Sequence, residues 1–293
     1  MDVFLYIILA LLSLLILYQL LGCSPKEGFE AKQMQMQMQK QKERYPISAG
    51  ILSYFAPKTL EHTLQSYKDS GFLDAVDDLF VVLQKSDRQV QEKEVCDTFG
   101  VRSVLLETNG RMASGFRAIY EHAKNDVILP LENDFAIYTR RDEVDSFLSN
   151  ALYFINQKGY DVVRGRSRAN AGEPNWAVQY WKDESPHTFI HHTHLAECIY
   201  WEKDPDLVYP SKIQRIKPEN GSDVWYTTTS QSCHYTNNPF LCRKEFFARA
   251  ILPHLIDGEN IEDRITGIWS KQSYKCVFGP GLFTHDRSFD GHS

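Results

Sequence analysis

An alternation along the chain limits its fold more than any other feature. Short apolar runs at residues 47–54, 79–84 and 101–106 are each followed by an amphipathic stretch, and a fourth run ends in Leu131-Glu132-Asn133-Asp134. Runs of this length suit buried strands, and apolar residues at helical spacing suit the helices that cover them. Thr59 is expected to cap a first helix carrying Leu60, Leu64 and Tyr67 on one face. Ser86 and Gln89 read as a capping box for the second. After the turn dipeptide Asn109-Gly110, the residues Met112, Phe116, Ile119, Tyr120 and Ala123 recur at helical spacing. A parallel crossover needs a connection of about helix length, so this order predicts a mainly parallel sheet with helices on both faces. Val144, Phe147, Leu148, Ala151 and Ile155 predict another helix, and residues 160–165 another strand.

Open sheets of this kind bind ligands beyond the carboxyl ends of their strands. Glu132 and Asp134 are two residues apart at such an end, so an extended backbone projects them the same way. Paired carboxylates suit Mg2+ or Mn2+, which are shared with phosphate oxygens and water. A solvated strand end followed by a turn is the plainer alternative. The net charge of -6 and pI near 5.9, with no long basic run, argue against nucleic acid as the main partner. Six scattered cysteines make neither a disulfide scaffold nor a paired zinc site. Cys233 and Cys242 flank a short loop, placed either to bridge in an oxidising compartment or to serve as core residues. His191, His192 and His194 read as a loop or strand surface feature. Trp176, Trp181 and Trp225 suit either stacking on acceptor sugars or core packing.

The run from Val3 to Leu21 is almost wholly apolar and long enough for a membrane helix. The expected organisation is a transmembrane anchor over residues 1–23, a polar stalk over 24–45 and a folded domain over 46–293. That makes a single-pass membrane protein, of Golgi or ER type in a eukaryote. Lys26, Lys32, Lys40, Lys42 and Arg44 follow the apolar run, and the positive-inside rule would put this flank in the cytoplasm rather than a lumen, so orientation stays open.

Several segments resemble, in order and spacing, a GT-A glycosyltransferase of the family 2 type. They are Ser53-Tyr54-Phe55-Ala56-Pro57, the stretch from Asn109 to Arg117, Leu131-Glu132-Asn133-Asp134, the segment from Asn238 to Arg243, Glu259-Asn260-Ile261-Glu262-Asp263 and Leu282-Phe283-Thr284-His285. Glu132 stands where the family usually has its first Asp. The resemblance implies a GT-A, Rossmann-like α/β fold that moves a sugar from a nucleotide-sugar donor to a glycan or other hydroxyl acceptor. It implies Mn2+ or Mg2+ at Asp134 and His285, with donor contacts from Ser53, Tyr54, Gln84, Asn109, Arg117 and Glu132. Asp263 would be the base for an inverting attack, with Glu262 second. As plain chemistry, both acids also suit the first turn of a helix, where the dipole favours them. Two alternatives accompany this reading: a tethered binding module that keeps the fold without turnover, and a sugar-1-phosphate nucleotidyltransferase. The second wants a Gly-rich loop after the first strand, which Ala49-Gly50 and Ser53 to Pro57 do not supply.

Overall fold

The computed structural model describes residues 44–172 and 202–286. Its first half follows the expected alternation. Strand β1 (Tyr45–Ser53) leads through helix α1 (Pro57–Asp69) and the single turn α2 (Phe72–Ala75) into β2 (Val76–Leu83). Helix α3 (Gln89–Thr98), β3 (Arg102–Leu105), α4 (Arg111–His122) and β4 (Val127–Glu132) follow. The caps differ from expectation. Helix α1 starts at Pro57, whose fixed φ and missing N–H suit a first helical position, and Thr59 lies inside it. Helix α3 has no side-chain cap; Ser86 Oγ instead accepts from the Arg88 N–H at 3.2 Å.

Beyond β4 come β5 (Phe135–Ile137), α5 (Arg141–Asn156) and β6 (Val162–Arg166). After the undescribed residues, α6 (Pro205–Val208), β7 (Gln214–Ile216), β8 (Trp225–Thr229), β9 (Phe240–Arg243), α7 (Lys244–Ala250), α8 (Ile261–Trp269) and β10 (Lys275–His285) complete the described elements. The sheet runs β3-β2-β1-β4-β9-β6-β10-β8-β7, with β5 pairing β10 off this path. The block β3-β2-β1-β4 is parallel throughout. The rest is not, and the expected mostly parallel sheet is corrected to a mixed one with four parallel and five antiparallel pairings. Strand β9 enters antiparallel beside β4, and short strands of this kind leave no helical crossover pattern to read in a sequence.

Two apolar layers enclose the sheet. Strand alternation sends Leu52, Phe80 and Val82 to one face, where Phe116 and Ile119 of α4, Phe247 of α7 and Ile265 of α8 cover them. Ile51, Val81 and Leu83 face the other way, against Leu64 of α1 and Val144, Phe147 and Ile155 of α5. Gly50 lets α4 approach β1, since a Cβ there would lie 2.6 Å from Ile119. Trp225 is fully buried and stacks on Phe147 at 5.6 Å, so of its two expected roles it takes core packing. Trp176, Trp181 and the histidines 191, 192 and 194 lie outside the described residues. Cys233 and Cys242 form no bridge; both are buried free cysteines.

The expected membrane anchor is also corrected. Among the described residues no helix is long and apolar enough to cross a membrane. The run from Val3 to Leu21 lies outside those residues, so membrane attachment and single-pass placement carry no further part of the reading.

At the amino ends of the parallel strands, Asp78 on β2 is buried and organises the return from α4. Its carboxylate accepts from Ser48 Oγ at 2.8 Å, Arg102 at 3.1 Å and the Lys124 N–H at 3.2 Å. Burial alone would raise its pKa, but these hydrogen bonds and the Arg102 charge together hold it below the ordinary Asp value. A depressed carboxyl pKa gives stability that is full above the unfolded value and is lost as pH falls through the folded one. Urea midpoints are therefore expected to fall between pH 5 and pH 3, and Asp78→Asn should shrink that fall while lowering the midpoint at pH 7. An undiminished acid-side fall in the variant would show that other carboxylates dominate.

Candidate functional site

The strand order reverses at β1 and β4. The chain runs outward from β1 to β2 and β3, then returns through α4 to place β4 on the other side of β1. A crevice opens at that point because the two crossovers leave in opposite directions. Here it is a cavity of about 690 Å³ lined by Leu52 and Tyr54 at the end of β1, Gln84 after β2, Asn109, Arg111 and Met112 at the start of α4, and Glu132, Asn133 and Asp134 at the end of β4.

Helix α1 fixes the acidic turn by gripping its backbone. Thr63 Oγ1 donates to the Asn133 carbonyl at 2.6 Å, Tyr67 donates to the Phe135 carbonyl at 2.8 Å, and Ser66 Oγ accepts from the Ile137 N–H at 3.0 Å. Burial, with the Asp134 charge adding to it, pushes the Tyr67 phenol well above its ordinary pKa, so it stays a donor. The turn then pairs antiparallel with the end of β10, with His285 opposite Phe135. Residues 151 positions apart thereby meet: His285 Nε2 lies 2.8 Å from Asp134 Oδ2, both side chains are buried, and the imidazole stacks on Phe135 at 4.6 Å. The Asp286 N–H donates to the Asp134 carbonyl at 2.7 Å, and the Asp286 carboxylate accepts from Tyr138, whose hydroxyl lies 2.9 Å from His62.

The other expected residues separate into three groups. Tyr54, Gln84, Asn109 and Glu132 line the cleft with Asp134. Gln84 is buried and its Oε1 accepts from Ser114 at 3.1 Å, while Asn109 Oδ1 accepts from the Arg111 N–H at 2.9 Å. Ser53 sits just beneath: its hydroxyl donates to Glu92 at 2.6 Å, and the Ala56 N–H reaches the same carboxylate oxygen at 3.2 Å. Ser53 therefore shapes the loop rather than lining the cleft. Arg117 is turned away, donating to Asp257 at 3.0 Å and to the Leu255 carbonyl at 2.7 Å. The two acids of α8 are not among the described cleft residues. Asp263 is exposed in the first turn behind the N-cap Asn260, and Glu262 is half-buried, accepting from the Asn237 N–H at 2.7 Å. Glu262 and Glu132 nevertheless share a neighbour. Burial above all pushes the pKa of Tyr235 up, Arg164 opposes it, and both carboxylates add to the rise.

Three features of the site have no reading in the sequence. Glu92 is completely buried on α3, where helical spacing alone suggests a solvated acid. Asn133 Nδ2 is buried at the cleft without a hydrogen-bond partner, a state few native donors occupy. Phe55 and Arg111 are the non-glycine residues with positive φ among the described ones, both at 57°, and they flank the cleft from two sides. Backbone strain of this kind persists only where surrounding structure holds it. Here Arg88 covers Phe55 at 4.2 Å and Arg111 Nη1 donates to the Gly258 carbonyl at 3.1 Å.

The expected metal centre does not stand on protein groups alone. Asp134 and His285 supply one oxygen and one nitrogen, and among the described residues no group of three His, Cys, Asp or Glu side chains is placed to hold an ion. The expectation of a metal-dependent enzyme is corrected on that ground.

Strand order and cleft define a mixed α/β fold with its cleft at the switch point of a parallel block. The finer family 2 assignment gains nothing further, because no family model and no curated protein matches the sequence. Among solved structures, the chain is similar to a mannosyltransferase from Pyrobaculum calidifontis in complex with GDP-Man and Mn2+, at 12% identity over 85% of this chain and 60% of that one, with a TM-score of 0.49. It is similar to glucosyl-3-phosphoglycerate synthase from Mycobacterium tuberculosis in complex with Mg2+ and UDP, at 11% identity over 85% and 74%, TM-score 0.46. A cytidylyltransferase from Leptospira borgpetersenii matches at 15% identity over 42% and 54%, TM-score 0.33. The chain spans about half the length of several structures it matches. At these values the likenesses carry no argument about chemistry.

Proposed function

We propose that the cleft binds a nucleotide sugar and that the protein is a nucleotide-sugar-dependent transferase. One observation carries this: the polar cleft at the switch point, where the ends of β1, β2 and β4 meet the amino terminus of α4. The wall at Tyr54 and Gln84 offers a ring and an amide suited to a nucleobase. The start of α4, with the Arg111 guanidinium, suits a diphosphate, since helix amino ends favour anions. The Asn133 amide is a donor in want of an acceptor, as a ribose or sugar hydroxyl would be.

Glu132 and Asp134 beside a diphosphate would repel it, so Mn2+ or Mg2+ enters this reading only as an ion arriving with the nucleotide and touching Asp134 and His285. No step of the transfer is routed through it. An acceptor hydroxyl needs a carboxylate to take its proton as it attacks. Glu262, half-buried and held by the Asn237 N–H at 2.7 Å, is a more fixed candidate than the exposed Asp263.

The test is calorimetric titration of the full-length protein with UDP, GDP, CDP and dTDP, each with and without Mn2+. Saturable binding of one nucleotide is expected, followed by slow hydrolysis or transfer of the matching nucleotide sugar. Binding with no turnover on any sugar nucleotide would favour the binding-module alternative. If no nucleotide binds under either condition, the proposal is wrong.

A further inference from the structure

A second cavity lies at the opposite end of the sheet. It has a volume of about 470 Å³, within the range of small-molecule sites, roughly 300–1,000 Å³. Lys275 opens β10 and lines this cavity, whereas His285 closes the same strand at the cleft. Eleven residues at about 3.3 Å each put the two ends up to roughly 30 Å apart. The cavity is not part of the nucleotide cleft.

Its lining is chemically one-sided. Lys158, Lys212 and Lys275 all line it, from the segments before β6 and before β7 and the start of β10, with the Lys158 ammonium 5.2 Å from the Tyr153 ring and no carboxylate among the described lining residues. In a chain of net charge -6 that is a local concentration of positive charge. Asp161 sits beside this lining, accepting from the Lys275 N–H at 2.8 Å, and its charge is met by Arg249 at 3.6 Å. Most of the remaining described lining is hydroxyl and amide groups, with one aromatic ring, Tyr160. A second observation points to a ligand. Thr228 is 5% exposed and lines the cavity, yet its Oγ1 has no hydrogen-bond partner. Its neighbour Thr227 in the same strand donates to the Cys276 carbonyl at 3.1 Å, so unused hydroxyls are not the habit of β8. A buried hydroxyl left unpaired is costly, and a ligand group that reached it would recover that cost.

We infer that this cavity binds a phosphorylated sugar. The three ammonium groups act as point charges for a phosphate dianion, as lysine does at phosphate sites. The hydroxyls, amides and Tyr160 suit a polyhydroxylated ring with a weakly apolar face. A nucleotide fits less well, because one exposed-edge phenol offers little surface for a base. The site serves the protein away from the cleft, holding or sensing a phosphorylated saccharide.

The experiment is calorimetry on the full-length protein with glucose 6-phosphate, glucose and inorganic phosphate as probes. Glucose 6-phosphate is expected to bind saturably with one-to-one stoichiometry, phosphate at least tenfold more weakly, and glucose not at all. Replacing both Lys212→Glu and Lys275→Glu, which are exposed, should weaken glucose 6-phosphate at least tenfold without changing thermal stability or nucleotide binding at the cleft. Thr228→Val should weaken it too while leaving the fold as stable or more so, since the lost hydroxyl bonds nothing in the protein. No saturable binding, equal affinity for phosphate alone, undiminished binding in the double variant, or displacement by a cleft nucleotide would each overturn the inference. Failure of the nucleotide titration at the cleft leaves this test unaffected, because the two sites share no residue.

Discussion

Gly281→Ala is expected to destabilise the protein by about 3 kcal/mol, which for a chain of this size lowers the midpoint of thermal unfolding by about 5 °C. Two costs add at this position. The backbone has φ +70°, where an alanine is strained, and a Cβ would lie 2.0 Å from the Arg166 carbonyl oxygen and 2.9 Å from Ser167 Cα. Neither contact is the end of a flexible side chain, so the strands themselves would have to part. They are needed where they are. Strand β10 breaks register between Phe278 and Phe283, and across the break the Arg168 N–H donates to the Pro280 carbonyl and the Ser167 N–H to the Phe283 carbonyl, both at 2.8 Å. The jog lets β10 leave β6, pair with β5 and deliver His285 to Asp134. Gly100→Ala is the control, because Gly100 has φ +65° with nothing within 4 Å of the added carbon. It should lose only about 1 kcal/mol from the backbone conformation. Equal losses in the two variants, by chemical denaturation, would mean that the close approach to β6 contributes nothing.

The same jog explains why part of this site was legible in the sequence and part was not. Strands β1, β2, β3 and β4 lie within three residues of the runs read from apolar patterning; β1, β2 and β4, largely buried on both faces, write that pattern directly, while β3 is a half-covered edge strand. Glu132 and Asp134 follow from the period of two at the end of β4. The resemblance, not the patterning, pointed to His285, and no local signal announces that β10 changes partners near Gly281. At Arg117, helical spacing gives the face of a residue but not what lies over it; the segment from Leu255 to Gly258 covers that face. Glu92 was invisible for the same reason. An acid on an amphipathic helix reads as solvated until a loop, here Ser53 to Ala56, folds onto it. The antiparallel second half was lost because short strands such as β7 and β9 carry three or four residues each, too few for a periodicity.

With Mn2+ present to bridge the carboxylate and the diphosphate, Asp134→Asn is expected to weaken nucleotide binding at least tenfold, about 1.4 kcal/mol, with the fold intact. Asparagine has nearly the shape of aspartate, and the turn that holds residue 134 is fixed through backbone groups: Thr63, Tyr67 and Ser66 bind residues 133, 135 and 137, and Asp286 binds the carbonyl of 134 itself. The substitution therefore changes charge and hydrogen bonding at one buried position and little else. If the carboxylate acts through His285, removing the imidazole should cost the same energy once and not twice. A double-mutant cycle with His285→Gln would then show a coupling of about 1–3 kcal/mol in nucleotide affinity. Additive losses would mean that the 2.8 Å contact is incidental and that each residue meets the ligand alone. Glu132→Gln serves as the comparison, since Glu132 lines the same cleft without being joined to His285 by any contact described above, and should couple to it by less than about 0.5 kcal/mol. Unchanged affinity in Asp134→Asn, in a protein that still binds its nucleotide, would move the diphosphate away from the end of β4 and leave Arg111 and the start of α4 as the phosphate end of the site.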